Sequence, residues 1–165
     1  MATVISGDTG VDRVTDGATM PAGSVLQIVE STTPLKSGTW SDNNEHTILS
    51  VTITPKSATS TLHITSNYSI QIYGNGNTAN FHWSLKIYEG PSVIVNEPDL
   101  HDNYHANDTF HKCICQYIGG SLTSNSTNAR TYHLKAKKDE ANSHGRMNRA
   151  NNYGLNRIVV TEVEG

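Results

Sequence analysis

Apolar and polar residues alternate along much of this chain, most clearly in TLHITSNYSIQIY, residues 61–73. Leu62, Ile64, Tyr68, Ile70 and Ile72 share one parity, His63, Thr65, Asn67, Ser69 and Gln71 the other, and only Ser66 interrupts the pattern. A period of two predicts a strand with one buried and one wet face. FHWSLKIY repeats it, with Phe81, Trp83, Leu85 and Ile87 set against His82, Ser84, Lys86 and Tyr88. Between the two runs lies YGNGNTAN, whose Asn75-Gly76 pair tolerates positive φ. The pattern therefore predicts one long hairpin with its tip at Asn75-Gly76.

Five further stretches, GSVLQIVES, HTILSVTIT, TFHKCICQYI, ARTYHLKAKK and LNRIVVTEVE, are rich in β-branched or aromatic residues and are bounded by Gly, Pro, Asn or Ser. They read as weaker strands. Pro55 closes the second of them, because proline has no N–H to give to a ladder. No stretch carries a convincing helical period. Seven or eight strands at this spacing predict an all-β fold, an antiparallel β-sandwich of jelly-roll-like form.

The first 22 residues differ from the rest. Val4, Ile5, Val11 and Val14 stand isolated among Gly, Asp and Thr, so no apolar face forms. Such a segment cannot offset its own ordering entropy and is expected to order by lying on a partner. We divide the chain accordingly, with an extended N-terminal attachment arm at 1–22 and a β-sandwich domain at 23–165. The arm lacks the basic start and apolar stretch of a secretory signal, and no run approaches the ~18 apolar residues of a membrane span. Synthesis in a cytoplasm and solubility there are the expectation.

Composition narrows the function classes. At 165 residues the chain is long enough to bury one core without covalent staples. A net charge of −3 with 16% charged residues argues against a general polyanion or nucleic-acid binder. Cys113 and Cys115 are the only cysteines. Two apart on a strand, their Cβ atoms lie well beyond the ~4 Å a disulfide needs, so free thiols are expected.

The succession GDTGVDRVTDG, ATMPAGSVLQIVE, SVTITPKSATSTLHI and RMNRANNYGLNRIVVTEVEG resembles small β-domain virion proteins and carboxy-terminal tail-fibre domains of tailed phages, of the cyanophage and marine-phage type. MPAGSVLQ, ITPKSATSTL and the final strand are its most specific pieces, and the likeness in element order runs over nearly the whole chain. The resemblance implies a virion surface protein, commonly a homotrimer, with a host-recognition or decoration role. The chain departs from it by lacking a long repetitive shaft and by its His-rich segment HDNYHANDTFHKCICQY.

That segment holds the chain's densest chemistry. His111, Cys113 and Cys115 would share a strand face and form a weak metal candidate, but CxC lacks the knuckle geometry of zinc sites, so no metal or other cofactor is expected. No GxSxG elbow, HExxH helix or P-loop is present, and we read the chain as non-enzymatic. Tyr73, Asn75 and Gly76, with His101, Asp102, Asn103, Tyr104 and His105, combine aromatic faces with amide and carboxylate groups on or beside predicted loops. That mixture suits recognition of a host surface glycan. Seven of the 12 basic residues, Arg130, Lys135, Lys137, Lys138, Arg146, Arg149 and Arg157, fall in the last quarter. They could meet phosphates, although a solvated strand face is the simpler reading.

The sequence thus reads as a phage virion structural protein at the tail or outer surface, a tail fibre or receptor-binding module that docks other virion proteins through its arm. The alternatives are a capsid decoration protein, a small glycan-cleaving enzyme and a bacterial carbohydrate-binding domain.

Overall fold

The computed structural model describes residues 20–32, 39–40, 44–74, 79–104, 110–138, 146–149 and 156–165. These hold ten strands: β1 (Val25–Ser31), β2 (Thr39–Trp40), β3 (His46–Ile53), β4 (Thr61–Gly74), β5 (Ala79–Glu89), β6 (Ser92–Tyr104), β7 (Phe110–Thr123), β8 (Arg130–Lys138), β9 (Arg146–Arg149) and β10 (Arg157–Val163). No helix occurs among the described residues, and hence none long and apolar enough to cross a membrane.

Two antiparallel sheets form. In the first, β4 is the spine: β7 pairs with one edge along its whole length, and β10 and β9 share the other edge, followed outward by β1 and β2. The second has the order β3-β8-β5-β6. Following the main strands, the chain changes sheet at every step from β1 to β3, β4 and β5, makes the single hairpin β5–β6, then changes sheet again to β7, β8 and β10. Two sheets, β1-β10-β4-β7 over β3-β8-β5-β6, wrapped in this way are a jelly roll.

The expected hairpin between β4 and β5 is therefore not formed. β4 pairs with β7, β9 and β10, whereas β5 pairs with β6 and β8, so the connection through Asn75-Gly76 leads from one sheet to the other. Alternation defines which face of a strand is buried but not which strand lies beside it. Both runs carry the pattern equally well as members of opposed sheets.

The apolar parity faces inward. Leu62, Ile64 and Tyr68 of β4, Trp83, Leu85 and Ile87 of β5, Tyr132, Leu134 and Ala136 of β8, and Ile158 and Val160 of β10 are all buried. In β3 the successive residues Ile48 and Leu49 are both buried, because a bulge between Thr47 and Leu49 turns an additional side chain inward. Ser66 is buried at the parity of its apolar neighbours and donates its hydroxyl to the Arg157 carbonyl at 2.8 Å. What reads as a break in the sequence pattern is thus a satisfied polar member of the core face.

Strand β6 was not expected. Its sequence SVIVNEPDLHDNY carries a proline and a polar tail, yet it forms the outer edge of the second sheet. Register passes from Trp83↔Leu100 to Leu85↔Glu97, so Ser84 alone stands across from Pro98 and Asp99. Pro98 thus sits in a bulge on an edge strand, the setting that tolerates a missing N–H.

At Gly120 the two sheets approach closely: a Cβ built there would lie 2.5 Å from Val95 Cγ2 of β6. Valine is stiff about χ1 and cannot swing away freely. Gly120→Ala is expected to cost about 1–3 kcal/mol, and Val95→Ala in the same chain to recover part of it. Denaturant melts of the two single variants and the double variant would give the coupling; additive losses would show that the contact is not the cause.

Candidate functional site

Because the chain alternates sheets, its connections segregate to the two ends of the sandwich. At one end Gly74 pairs with Phe110, Tyr73 with both His111 and Arg146, Ala79 with Tyr104, and Thr39 and Trp40 with Asn148 and Met147. The connections β1–β3, β4–β5, β6–β7 and β8–β10 all leave and return here. The sequence-nominated positions Tyr73 (β4) and His101, Asp102, Asn103 and Tyr104 (β6) are thereby gathered at one end, although far apart in sequence.

Tyr73 lies on the strand expected for it, at the end next to the Asn75-Gly76 connection, whereas His101–Tyr104 extend strand β6 in place of a loop. His101 stands across from His82, Asp102 from Phe81, and Asn103 from Asn80. The HDNY stretch lacks apolar alternation, so its extension of β6 follows from pairing with β5. His111, Cys113 and Cys115 do occupy alternate positions of β7, across from Tyr73, Gln71 and Ser69. Asn75, Gly76 and His105, like Val4, Ile5, Val11 and Val14 of the arm, lie outside the described residues. Among the described residues no cluster of three His, Cys, Asp or Glu side chains could hold a metal ion.

The basic residues do not make one surface. Lys135, Lys137 and Lys138 lie on β8 in the second sheet, whereas Arg146, Arg149 and Arg157 lie in the first. Several of the charges are also neutralised. Lys86 and Lys135, directly opposed across β5 and β8, share Glu45 at 3.4 and 3.5 Å. Tyr88 donates to the same carboxylate at 2.9 Å, and the Lys135 ammonium sits 4.0 Å from the Tyr88 ring centroid. Burial raises the Glu45 pKa, but the Tyr88 hydrogen bond and the two lysines outweigh it and hold the group below its ordinary value. Arg130 grips Glu89 with two guanidinium nitrogens and donates to the carbonyls of Thr123 and Ser124.

The opposite end is built around a buried acid that sequence reading passed over. Glu162 of β10 is fully buried. Its Oε1 accepts the backbone N–H of Lys56 and Ser57, at 2.8 and 3.0 Å, and the Ser60 hydroxyl at 2.7 Å. Its Oε2 accepts Gln27 Nε2 at 2.6 Å and the Lys56 N–H at 3.1 Å. Gln27 also donates to the Thr54 carbonyl, and the Lys56 ammonium to the Leu26 carbonyl. Nearby, Ser24 N–H donates to the Pro21 carbonyl in a turn whose third residue, Gly23, has φ +85°. That value suits glycine at this position of a type II turn. Gly23 and Glu164 close the end through Gly23 N–H to the Glu164 carbonyl and Glu164 N–H to the Ser24 carbonyl, both 2.9 Å. The signal was present in the sequence: Ile158, Val160 and Glu162 share one parity, which places a carboxylate on a core face.

The fold is thus a jelly roll with one end locked by Glu162 and the other bearing the strand positions of Tyr73 and His101–Tyr104. No protein-family model matches the chain, and no curated protein matches it. Solved structures with some similarity include particles of T=1 symmetry derived from infectious bursal virus, with TM-score 0.38 and 12% identity over 86% of this chain and 37% of that one. The Gx strain of infectious bursal disease virus gives 0.34 and 10% over 84% and 36%. A mutant VP2 protein of that virus gives 0.35 and 11% over 99% and 41%. The chain spans about two fifths of the length of these proteins. At such scores the assignment of the fold rests on the strand order itself.

The Glu162 clamp predicts acid sensitivity. Burial raises its pKa, but the hydrogen bonds from Gln27, Ser60, Ser57 and Lys56 together depress it below the ordinary carboxylate value. A depressed folded-state pKa contributes stability that is complete above the unfolded value, ~4.3, and is lost as pH falls through the folded value. Glu162→Gln should cost about 2–4 kcal/mol at neutral pH, since an amide meets the N–H donors with one oxygen in place of two. Urea melts from pH 7 downward should show the wild type losing stability below about pH 4, and the variant changing less over that span. Parallel pH profiles would remove Glu162 as the source.

Proposed function

We propose that the chain is a surface structural protein of a tailed-phage virion, a tail-fibre or receptor-binding module without catalytic activity. The observation that carries this reading is the division of labour between the two ends of the jelly roll. One end is fastened by a buried carboxylate, and at the other the strand ends that bear Tyr73 and His101–Tyr104 come together. Recognition surfaces are commonly built in this way, from variable segments on a rigid scaffold. The tail-fibre resemblance of MPAGSVLQ and ITPKSATSTL supplies the particle, a virion made in a bacterial cytoplasm.

The ligand is a host surface glycan, bound by stacking on tyrosine and by directional hydrogen bonds from amide, imidazole and carboxylate groups. Individual contacts of this kind are worth ~1 kcal/mol, so a single site is weak. Several copies in a homotrimer, and several trimers on a particle, raise avidity by orders of magnitude without any strong single contact. The N-terminal arm docks the module onto other virion proteins. Its residues 1–19 precede the Pro21–Ser24 turn, so a chain beginning at Met20 keeps that turn and the residues that hold Glu162.

Two measurements test the reading. Chains beginning at Met20 should fold and melt as the full chain does, yet fail to assemble onto particles; normal incorporation of the truncated chain would refute an attachment role for the arm. Tyr73→Ala and Tyr104→Ala should each weaken adsorption of particles to host cells, with about a tenfold loss per site for the pair taken together, ~1.4 kcal/mol. Variants that melt normally and adsorb like the wild type would move the protein from receptor binding to capsid decoration. Release of sugar from host glycan by the purified protein would make it an enzyme.

A further inference from the structure

The outer faces of the two sheets differ in character. On the second sheet, Lys86, Lys135, Tyr88 and Glu45 interlock. On the first, the β1/β10 side is almost free of charge. Two of the three exposed large hydrophobic residues described in the chain belong to β1, Val25 at 53% and Ile28 at 63% exposure. Register sets Val25 across from Val163, Ile28 across from Thr161, and Glu30 across from Val159. On the far side of β10, Thr61, His63 and Thr65 of β4 continue the same rows. Val159, Thr161 and Val163 are only half-buried. The result is a contiguous surface of β-branched side chains at the edge of a sheet, unlike the scattered single apolar residues that ordinary surfaces carry.

Two opposite charges border this surface. Glu30 and Arg157 are both exposed, on neighbouring strands at the same end of the patch. Among the described residues neither has an ion-pair partner, in contrast to Glu45, Glu89, Lys86, Lys135 and Arg130. A patch that is apolar at its centre and carries one acid and one base at its border is complementary to itself.

We infer that the outer face of β1 and β10 is the contact between copies of this chain, with the apolar surface around Ile28 and Val163 buried and Glu30 of one copy set against Arg157 of the other. Apolar burial would supply the affinity, and the two charges the register, since interfacial charges act mainly on specificity and alignment. The inference stands apart from the virion assignment. It concerns the isolated protein, and its test does not depend on particles or host cells.

Sedimentation equilibrium of the full chain across the micromolar range provides the test. The wild type should associate, and Ile28→Glu should weaken association by at least about tenfold, ~1.4 kcal/mol. Ile28 is exposed, so the variant should fold normally, as a circular-dichroism melt would verify. Glu30→Arg should also weaken association, and the exchange Glu30→Arg with Arg157→Glu should restore it, which a merely structural role for either residue would not do. Val93→Glu, at the exposed apolar residue of β6, should leave association unchanged. A wild type that stays monomeric throughout, an Ile28→Glu chain that associates as the wild type does, or dissociation by Val93→Glu in its place would each overturn the inference.

Discussion

The closed end of this jelly roll depends on a single buried carboxylate. Glu162 is fully enclosed, and an unpaired charge there would be untenable. Its donors come from β1, from the β3–β4 connection, and from the residue just before β4. The β3–β4 connection crosses from one sheet to the other, so the same acid that satisfies its backbone N–H groups also fixes the distance between the sheets. Ser124 adds to the arrangement, its hydroxyl donating to the Ser57 carbonyl and its N–H to the Ser60 carbonyl. The β7–β8 connection is thus bound to the same short segment. Arg130, through Glu89 and the carbonyls of Thr123 and Ser124, secures the start of β8 beside it. Truncating Glu162 would strand several buried donors at once, which costs more than the hydrogen bonds themselves contribute.

This polar assembly explains how the three most distinctive stretches of the sequence relate to one another. MPAGSVLQ contributes the Pro21–Ser24 turn and Gln27, ITPKSATSTL contributes Thr54, Lys56, Ser57 and Ser60, and the last strand contributes Glu162 itself. Gln27 and Glu162 are 135 positions apart in the chain, yet they meet in one cluster. The constraint shared by the three stretches is the hydrogen-bonding geometry of one acid. Tyr132, close by in β8, is a different case: burial pushes its pKa up to about 12, and it stays neutral beside Arg130.

How much of this was legible beforehand follows from what each pattern encodes. Period-two alternation located β4 and β5 and put Tyr68 and Trp83 in the core, because burial of one strand face is a local property of the sequence. It could not say that β4 and β5 belong to opposed sheets, since pairing depends on partners far along the chain. β6 escaped because its edge position and the Pro98 bulge relax the demand for alternation. Ser66 looked like an exception to apolar parity and Glu162 was passed over, yet parity itself marks both as inward-facing; a polar residue on a core face signals that a partner must exist. The strand positions of Tyr73 and His101–Tyr104 were named as a possible site from composition alone. Their convergence on one end of the sandwich comes from the sheet-to-sheet wrapping, which no local window contains.

The edges of the two sheets reveal the remaining constraint. A strand with one unpaired side invites association with any extended chain, so such edges need protection. On β6 the protection is Pro98 with its bulge. On β1 it is partial: a bulge between Val25 and Gln27 disturbs the ladder, and the Lys56 ammonium occupies the Leu26 carbonyl at 2.9 Å. From Ile28 to Ser31 the register with β10 is regular, so the ladder beyond the bulge is not disturbed in the same way. This is also where Ile28 is exposed. Indiscriminate pairing along such an edge would lead to aggregation, whereas a defined partner would bury the apolar side chains and remove the hazard together. Ile28 and Glu30, an apolar and a charged residue at alternate positions of β1, fit the second outcome: the charge restricts which approach is favourable, and the isoleucine rewards the approach that is allowed.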